Sequence, residues 1–299
     1  MDCHMLYEKI AVTGGAGLLG SHVVRRLSDT AEVTTLDIKS PVMENASLGS
    51  HVTASITDYE QIKKALIGHD AVIHLAAIPN PREADAMTIF NNNVQGAWTV
   101  LQAAEEVGVK RVVVASSDSV FGLSYNPPDW PPQFLPVDET HATRPIEVYS
   151  MSKKVTETLS ESFAARGNME VLAIRPCHII FPRGYKELVS RGADLQNYHF
   201  WAWVGPEDVA QAFELVTQTK DYTGFDIYTV AAEEGLNELP TLDVASKRWP
   251  RMPIIKKPEL YELEPRASIL DTSKIRDRLG FKAQITKEKL FLKAKTQKH

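Results

Sequence analysis

The stretch Thr13-Gly14-Gly15-Ala16-Gly17-Leu18-Leu19-Gly20 follows a short apolar run and leads into a segment with helical periodicity. Its glycines at 14, 17 and 20 form a GxxGxxG pattern. Such glycines permit a tight turn, a close approach of the backbone to a pyrophosphate and close packing of the helix on the strand. The stretch therefore predicts a strand–turn–helix unit that binds a dinucleotide, with a plain glycine-rich turn as the alternative.

Strand-like and helix-like segments alternate along the rest of the chain. The strand-like runs are Lys9–Thr13, Glu32–Ile38, Ala71–Ala76, Arg111–Ser116, Glu170–Arg175 and Phe225–Val230. The segments with helical periodicity are Leu18–Ser28, Asp58–Ile67, Ala84–Val107, Glu147–Arg166 and Pro206–Thr217. Short apolar strands that alternate with helices predict an α/β fold with a doubly wound parallel sheet and right-handed crossovers.

Two regions interrupt this alternation. Residues 122–144 contain five prolines, which exclude a helix or an inner strand, so we expect a loop over the strand ends. Residues 182–200 are also irregular. We therefore predict an NAD-binding domain from residues 1–176 and 204–231, and a small substrate-side lobe from residues 177–203 and 232–299.

Composition excludes several classes of protein. The 299 residues carry a formal charge of 33 − 38 = −5, which does not support a nucleic-acid partner. No apolar run approaches the roughly 20 residues that span a bilayer, so we expect no membrane partner. The two cysteines, Cys3 and Cys177, lie far apart without metal-ligand spacing, which indicates neither a disulfide framework nor a metal site. We expect a soluble cytoplasmic protein.

An acidic residue at the end of the second strand selects the dinucleotide. Asp37 lies 17 positions after Gly20. A carboxylate there accepts hydrogen bonds from the adenosine ribose hydroxyls and repels the extra phosphate of NADP. The sequence thus predicts NAD, although the cation of Lys39 partly offsets that repulsion and a surface turn acid is the alternative.

Tyr149 and Lys153 are the predicted catalytic pair. Their four-residue spacing places both side chains on one helical face. An ordinary tyrosine titrates near pH ~10, and a nearby ammonium favours its phenolate. Tyr149 then removes a hydroxyl proton as a hydride leaves the same carbon. An exposed helix pair without catalytic function is the alternative.

Hydroxyl groups follow the strand Arg111–Ser116. Ligands bind beyond the carboxyl ends of strands in open α/β sheets, and a serine there hydrogen-bonds the substrate oxygen. Among Ser116, Ser117 and Ser119, we assign this role to Ser117. Capping of the turn is the alternative, particularly for the other two serines.

Together these motifs resemble the extended short-chain dehydrogenase/reductase family, of the NAD-dependent epimerase/dehydratase type with a short, uronate-dehydrogenase-like substrate lobe. The matching segments are Thr13–Gly20, Asp37, Asp58, His74–Ala77, Asn93–Gly96, Ser116–Gly122, Tyr149–Lys153 and Ile174–Pro176. The resemblance implies a Rossmann-type fold and a homodimer formed through the helices Ala84–Val107 and Glu147–Arg166.

The resemblance also implies residue roles. Ser117, Tyr149 and Lys153 form the catalytic set, Asp58 contacts adenine, and Asn93 mainly supports a helix distortion beneath the site. The implied cofactor-binding residues are Gly14, Gly17, Leu18, Leu19, Gly20, Asp37, Ile56, Asp58, Leu75, Ala76, Ala77, Asn93, Ala115, Tyr149, Lys153 and Pro176. The expected substrate residues are Ser117, Asp118, Ser119, His178 and Arg183, and for His178 a packed role that holds its loop is an equal alternative.

Departures from the family pattern narrow the substrate. Nucleotide-sugar epimerases interpose a long segment after the Arg-Pro strand, whereas only residues 177–203, 27 in all, are available here. We therefore predict an NAD-dependent oxidoreductase that oxidises a hydroxyl of a small polar substrate such as a sugar, a uronic acid or a polyol. The alternatives are a nucleotide-sugar epimerase or dehydratase and a non-catalytic NAD sensor.

Overall fold

The strands at the centre of the fold consist almost entirely of apolar residues. Both of their faces are buried, so few of their positions can carry a polar side chain. The computed structural model describes residues 6–41, 47–125, 127, 129–182, 184, 188–197, 199–220 and 224–296. Every residue of the strands Ala71–His74 and Arg111–Ala115 is buried. This burial agrees with the continuous apolar runs in the sequence, which are typical of parallel sheets.

A seven-stranded sheet has the order β3-β2-β1-β4-β5-β7-β8. Its strands are β1 (Lys9–Thr13), β2 (Glu32–Asp37), β3 (Ser50–Thr53), β4 (Ala71–His74), β5 (Arg111–Ala115), β7 (Glu170–Pro176) and β8 (Phe225–Val230). The pairs β1–β2, β2–β3, β1–β4, β4–β5 and β5–β7 are parallel. Thr13 pairs with His74, and His74 with Val114, so the carboxyl ends of β1, β4 and β5 lie side by side.

Periodicity predicted the helices in the segments 18–28, 58–67, 147–166 and 206–217 to within one residue at each end, and it did not predict those at 188–193, 241–248, 258–263, 273–279 and 287–296. The described residues form eleven α-helices. They are α1 (Leu18–Leu27), α2 (Tyr59–Leu66), α3 (Ala86–Phe90), α4 (Gly96–Glu106), α5 (Val148–Ala165), α6 (Leu188–Ala193), α7 (Pro206–Gln218), α8 (Thr241–Arg248), α9 (Pro258–Leu263), α10 (Ser273–Leu279) and α11 (Lys287–Thr296). The segment Ala84–Val107 is not one regular helix, because a π-helical turn, Asn91–Gln95, separates α3 from α4. This turn is the helix distortion that the resemblance implies at Asn93.

The chain divides into two compact units. The first comprises residues 1–116, 147–174 and 210–227, and the second comprises residues 117–146, 175–209 and 228–299. The proline-rich segment therefore belongs with the second unit, whereas the sequence analysis assigned it to the nucleotide domain. It contains a 3₁₀ turn, Asp118–Phe121, and the strand β6 (Phe134–Leu135), which pairs with β9 (Ile254–Ile255) in a separate two-stranded sheet.

An apolar cluster of strand and helix side chains lies in the first unit. The fully buried residues Val112 and Val114 of β5 contribute to it, as do Ile62 of α2 and Val100 of α4. Burying one such side chain stabilises the fold by roughly 1.5–3 kcal/mol. The cluster thus fixes the strand ends that carry the site residues.

Candidate active site

The glycine loop between β1 and α1 has no space for a side chain at Gly14 or at Gly20. Gly14 has a φ of +72°, and a Cβ there would lie 2.7 Å from the Ala76 nitrogen. A Cβ on Gly20 would lie 2.1 Å from the Gly14 carbonyl oxygen. Gly17, the residue that precedes α1, has no side chain with which to cap the helix, and the amides at a helix N-terminus are donors suited to an anionic ligand.

Asp37 lies beside this loop at the end of β2. Its Oδ2 accepts a hydrogen bond from the Ala16 amide at 3.1 Å, and its Oδ1 accepts one from the Lys39 amide at 3.1 Å. The carboxylate is therefore held next to the glycine turn. Since each carboxylate oxygen accepts more than one hydrogen bond, Asp37 can also accept hydrogen bonds from ribose hydroxyls.

These features fit NAD. The glycine turn admits a pyrophosphate close to the backbone, and the fixed carboxylate of Asp37 matches an unphosphorylated ribose. Asp58 also caps α2, where its carboxylate accepts hydrogen bonds from the amide and the side chain of Gln61 at 3.0 and 2.8 Å. Its contact with adenine remains a prediction.

Tyr149 and Lys153 lie on the first two turns of α5. The Glu147 carboxylate caps this helix by accepting hydrogen bonds from the amides of Tyr149 and Ser150 at 2.6 and 2.5 Å. The Lys153 ammonium lies 5.8 Å from the centroid of the Tyr149 ring. The structure therefore brings the predicted catalytic pair together, with Tyr149 half-buried and Lys153 buried.

The Lys153 side chain is held at the end of β5. Its Nζ donates a hydrogen bond to the Ala115 carbonyl oxygen at 2.7 Å, and only 6% of the residue is exposed. Burial lowers the pKa of Lys153 to about 8, against a smaller opposing effect of the Glu157 carboxylate. An ammonium with this pKa is charged at neutral pH and loses its proton under mildly alkaline conditions.

Two buried residues near Lys153 were assigned no role in the sequence analysis. Glu157 is 1% exposed and accepts a hydrogen bond from Ser116 Oγ at 2.6 Å. His74 lies 2.7 Å from Thr13 Oγ1 through Nδ1, and burial together with the Lys153 charge lowers its pKa to about 3. His74 is thus neutral. The four-residue step from Lys153 to Glu157 was the available signal, but a helical glutamate ordinarily faces water.

Asn93 supports the beginning of α5 from the π-helical turn. Its Oδ1 accepts a hydrogen bond from the Ile78 amide at 2.8 Å, and its Nδ2 donates one to Ser152 Oγ at 3.0 Å. Ser152 Oγ in turn donates to the Tyr149 carbonyl oxygen at 2.7 Å. These bonds connect the helix distortion to the backbone of the proposed catalytic tyrosine.

Other implied cofactor residues lie at the same strand ends of the first unit. Leu75 follows β4 and donates its amide to the Thr13 carbonyl oxygen, and Ala76 is the neighbour of Gly14. Ile56 instead packs against Gly96, where a Cβ would lie 2.3 Å from its Cδ1. Contact of these residues with the cofactor stays a prediction.

In the second unit, Ser117 caps the 3₁₀ turn. Its Oγ accepts a hydrogen bond from the Ser119 amide at 3.1 Å and donates one to Asp118 Oδ1 at 3.3 Å. Burial raises the pKa of Asp118 to about 7. The capping alternative is therefore observed for Ser117, and its contact with a substrate stays a prediction.

His178, a further predicted substrate residue, also belongs to the second unit. The His178 ring stacks on His199 with centroids 3.9 Å apart, and its Nε2 contacts the Arg191 guanidinium. Burial, followed by the Arg191 charge, lowers the pKa of His178 to about 3. These contacts support a packed, neutral histidine that holds its loop. Arg183 lies outside the described residues.

Comparison with known proteins identifies the family. A model described as the NAD dependent epimerase/dehydratase family matches residues 10–196. The chain belongs to this family. Its membership confirms the predictions of the family, of an enzyme and of NAD as the cofactor, and the seven-stranded sheet confirms the Rossmann-type α/β fold.

Two relatives are dehydrogenases of small sugars or sugar acids by name. L-arabinose 1-dehydrogenase (NAD(P)(+)) of Haloferax volcanii is 31% identical over 216 residues, which cover 70% of this chain and 82% of the relative. Uronate dehydrogenase of Pseudomonas putida is 30% identical over 172 residues, which cover 56% of this chain and 60% of the relative.

Solved structures of family members have the same fold. UDP-glucose 4-epimerase of Thermotoga maritima has a TM-score of 0.71 at 24% identity, with coverage of 96% of this chain and 97% of that chain. A short-chain dehydrogenase/reductase superfamily protein of Agrobacterium tumefaciens with bound NAD has a TM-score of 0.73 at 23% identity, covering 97% and 96%. Among the described residues, the helices are too short or too polar to cross a membrane.

Proposed function

We propose that this family member is an NAD-dependent dehydrogenase that oxidises a hydroxyl of a small polar substrate, such as a sugar, a uronic acid or a polyol. The observation that carries the proposal is the buried ammonium of Lys153, held by the Ala115 carbonyl oxygen one helical turn from a half-buried Tyr149. The arabinose and uronate dehydrogenases among its relatives support the substrate class.

The residues of the first unit supply the proton chemistry. The positive charge of Lys153 stabilises the phenolate form of Tyr149, and this phenolate oxygen removes the proton of the substrate hydroxyl. The chemistry that NAD supplies when bound is acceptance of a hydride from the carbon that carried this hydroxyl. The substrate thereby becomes a carbonyl compound, and the proton remains on Tyr149 until it passes to solvent.

The other proposed roles concern binding. Gly14, Gly17 and Gly20 admit the pyrophosphate of NAD, and Asp37 accepts the ribose hydroxyls. Ser117 donates its hydroxyl hydrogen bond to the substrate oxygen, a role that rests on the family resemblance. It requires the hydroxyl to turn away from Asp118, its present acceptor at 3.3 Å.

A panel of substrates tests the proposal. Purified protein with NAD is incubated separately with aldoses, uronic acids, polyols and UDP-sugars, and both NADH absorbance and sugar products are followed. We expect net NADH with a free sugar, a sugar acid or a polyol. Isomerised or dehydrated UDP-sugar without net NADH would instead identify an epimerase or dehydratase, and binding of NAD without any turnover would indicate a sensor.

We further propose a cytoplasmic homodimer. Apolar side chains of α3 and α4 face solvent, with Met87 66%, Phe90 38% and Trp98 45% exposed. A shallow groove on this surface is lined by Phe90, Val94, Trp98 and Leu159 of α5, so the apolar surface reaches both helical segments that the sequence analysis assigned to the dimer. Exposed apolar patches of this kind mark interaction surfaces.

A further inference from the structure

A buried carboxylate continues the row of catalytic side chains along α5. Tyr149, Lys153 and Glu157 follow one another at four-residue steps and therefore lie on one helical face. Glu157 is 1% exposed, so it is nearly as deeply enclosed as the apolar core. Burial of an ionised carboxylate is costly unless charges and hydrogen bonds compensate it.

A hydroxyl group that follows β5 and two neighbouring lysines compensate the buried charge of Glu157. Ser116 Oγ donates a hydrogen bond to Glu157 at 2.6 Å, and the half-exposed Lys154 ammonium lies 3.7 Å from the carboxylate. The Ser116 amide is itself fixed by the Ile174 carbonyl oxygen at 2.8 Å. The neighbouring Ala115 carbonyl oxygen accepts the Lys153 hydrogen bond. The last residue of β5, Ala115, and the residue that follows it, Ser116, therefore each hydrogen-bond one of the two charged side chains.

Among the described residues, Glu157 is the anionic side chain whose charge affects the pKa of Lys153. Its charge opposes the effect of burial and raises the pKa of Lys153. Among the described residues, Tyr149 on α5 and His74 on β4 are titratable groups that also lie near Lys153. His74 is neutral at physiological pH, because its burial lowers its pKa to about 3.

We propose that Glu157 is a positioning residue that keeps Lys153 protonated and anchored at the end of β5. Its effect on turnover rests on the proposed function, whereas its effect on the charge of Lys153 does not. Without this carboxylate, burial alone would act on the ammonium, and Lys153 would lose its proton closer to neutral pH.

The direct test is a titration of the Lys153 ammonium in the folded protein. Protein labelled with ¹³C at the lysine ε carbons is titrated by NMR, and Lys153→Met assigns the resonance. We expect Glu157→Gln to lower the Lys153 pKa by on the order of one unit. Glu157→Asp, which retains the charge, should restore most of the wild-type value. In Glu157→Gln, the pH above which NAD binding weakens should fall together with the Lys153 pKa.

Ser116→Ala is the matched control, because it removes the hydrogen bond and leaves the charge. We expect its Lys153 pKa to be equal to or above that of the wild type. An unchanged pKa in folded Glu157→Gln would overturn the proposal. Should that variant fail to fold, the double variant Ser116→Ala/Glu157→Met removes the carboxylate together with its hydrogen-bond donor, and an unchanged Lys153 pKa in that variant would overturn the proposal. Neither readout needs a substrate, so a failure of the proposed dehydrogenase function leaves this test intact.

Discussion

Tyr149 performs the proton transfer in this account, and the residues around it set its position. Glu147 caps its helix, while Asn93 supports its backbone through Ser152. We predict that Tyr149→Phe lowers kcat by at least about 100-fold, the lower range for loss of a general acid or base. NAD affinity, measured by fluorescence titration, should be unchanged. Tyr59→Phe on α2 is the control, and equal turnover in both variants would exclude Tyr149 from the chemistry.

Lys153 predicts a pH dependence of cofactor binding. Its pKa is lowered to about 8, so the ammonium is almost fully protonated below about pH 7, is half protonated near pH 8 and is lost as the pH rises further. A neutral amine binds the cofactor ribose and phosphates less well. We expect the Kd for NAD to be constant from pH 6 to about 7 and to increase above about 8. In Lys153→Met, binding should be weak and independent of pH over this range, and a wild-type profile in that variant would contradict the assignment.

The site residues that could be predicted are those whose role follows from their spacing along the sequence. The four-residue step correctly placed Tyr149 and Lys153 on one helix. The position of Asp37 after the glycine loop correctly placed it at the end of the second strand. Glu157 was missed because the hydroxyl that compensates its buried carboxylate, that of Ser116, lies 41 residues earlier in the chain. The packing of His178 on His199 and Arg191 likewise depends on a loop whose path has no local sequence signal.

At the scale of elements, the alternating pattern predicted six strands of the central sheet, with β1 and β8 correct at both ends. β3 was missed because Ser50–Thr53 is mostly exposed and lacks an apolar run. Helical periodicity did not predict the break in the segment Ala84–Val107. The π-helical turn Asn91–Gln95 is short, and the segments before and after it both keep a helical pattern of apolar residues.

The glycine turn supplies a prediction at this scale. Gly20→Ala places a methyl group 2.1 Å from the Gly14 carbonyl oxygen, so the turn must open and NAD binding should fall by at least about tenfold, the equivalent of 1.4 kcal/mol. Isothermal titration calorimetry measures the change. Gly108→Ala is the control, since its φ is +81° but its Cβ would meet nothing within 4 Å. It should lower stability and leave NAD affinity intact, whereas equal affinities in both variants would show that the turn does not hold the cofactor.

At the scale of the whole molecule, overall length does not separate dehydrogenases from epimerases. The short segment 177–203 favours a small substrate, yet this chain covers 97% of the Thermotoga maritima UDP-glucose 4-epimerase. The substrate class thus rests on the dehydrogenases among the relatives, and sequence alone could not identify the substrate.

The proposed dimer predicts a change of molecular mass. Trp98→Glu places a charge on the apolar surface of α3 and α4, and we expect sedimentation to show a dimer for the wild type and a monomer for this variant. Trp130→Glu is the matched control, since Trp130 is 42% exposed in the second unit, compared with 45% for Trp98. A wild-type monomer at micromolar concentration, or a dimer that persists in Trp98→Glu, would contradict the proposed interface.

The fate of a labelled hydrogen tests the central claim most directly. A substrate found with the panel is deuterated at the carbon that bears the reacting hydroxyl, incubated with the protein and NAD, and both products are analysed by mass spectrometry. The account predicts that deuterium leaves the substrate and appears in released, reduced cofactor in equal amount to the oxidised product. Deuterium that returns to an isomerised sugar, with no reduced cofactor released, would contradict it.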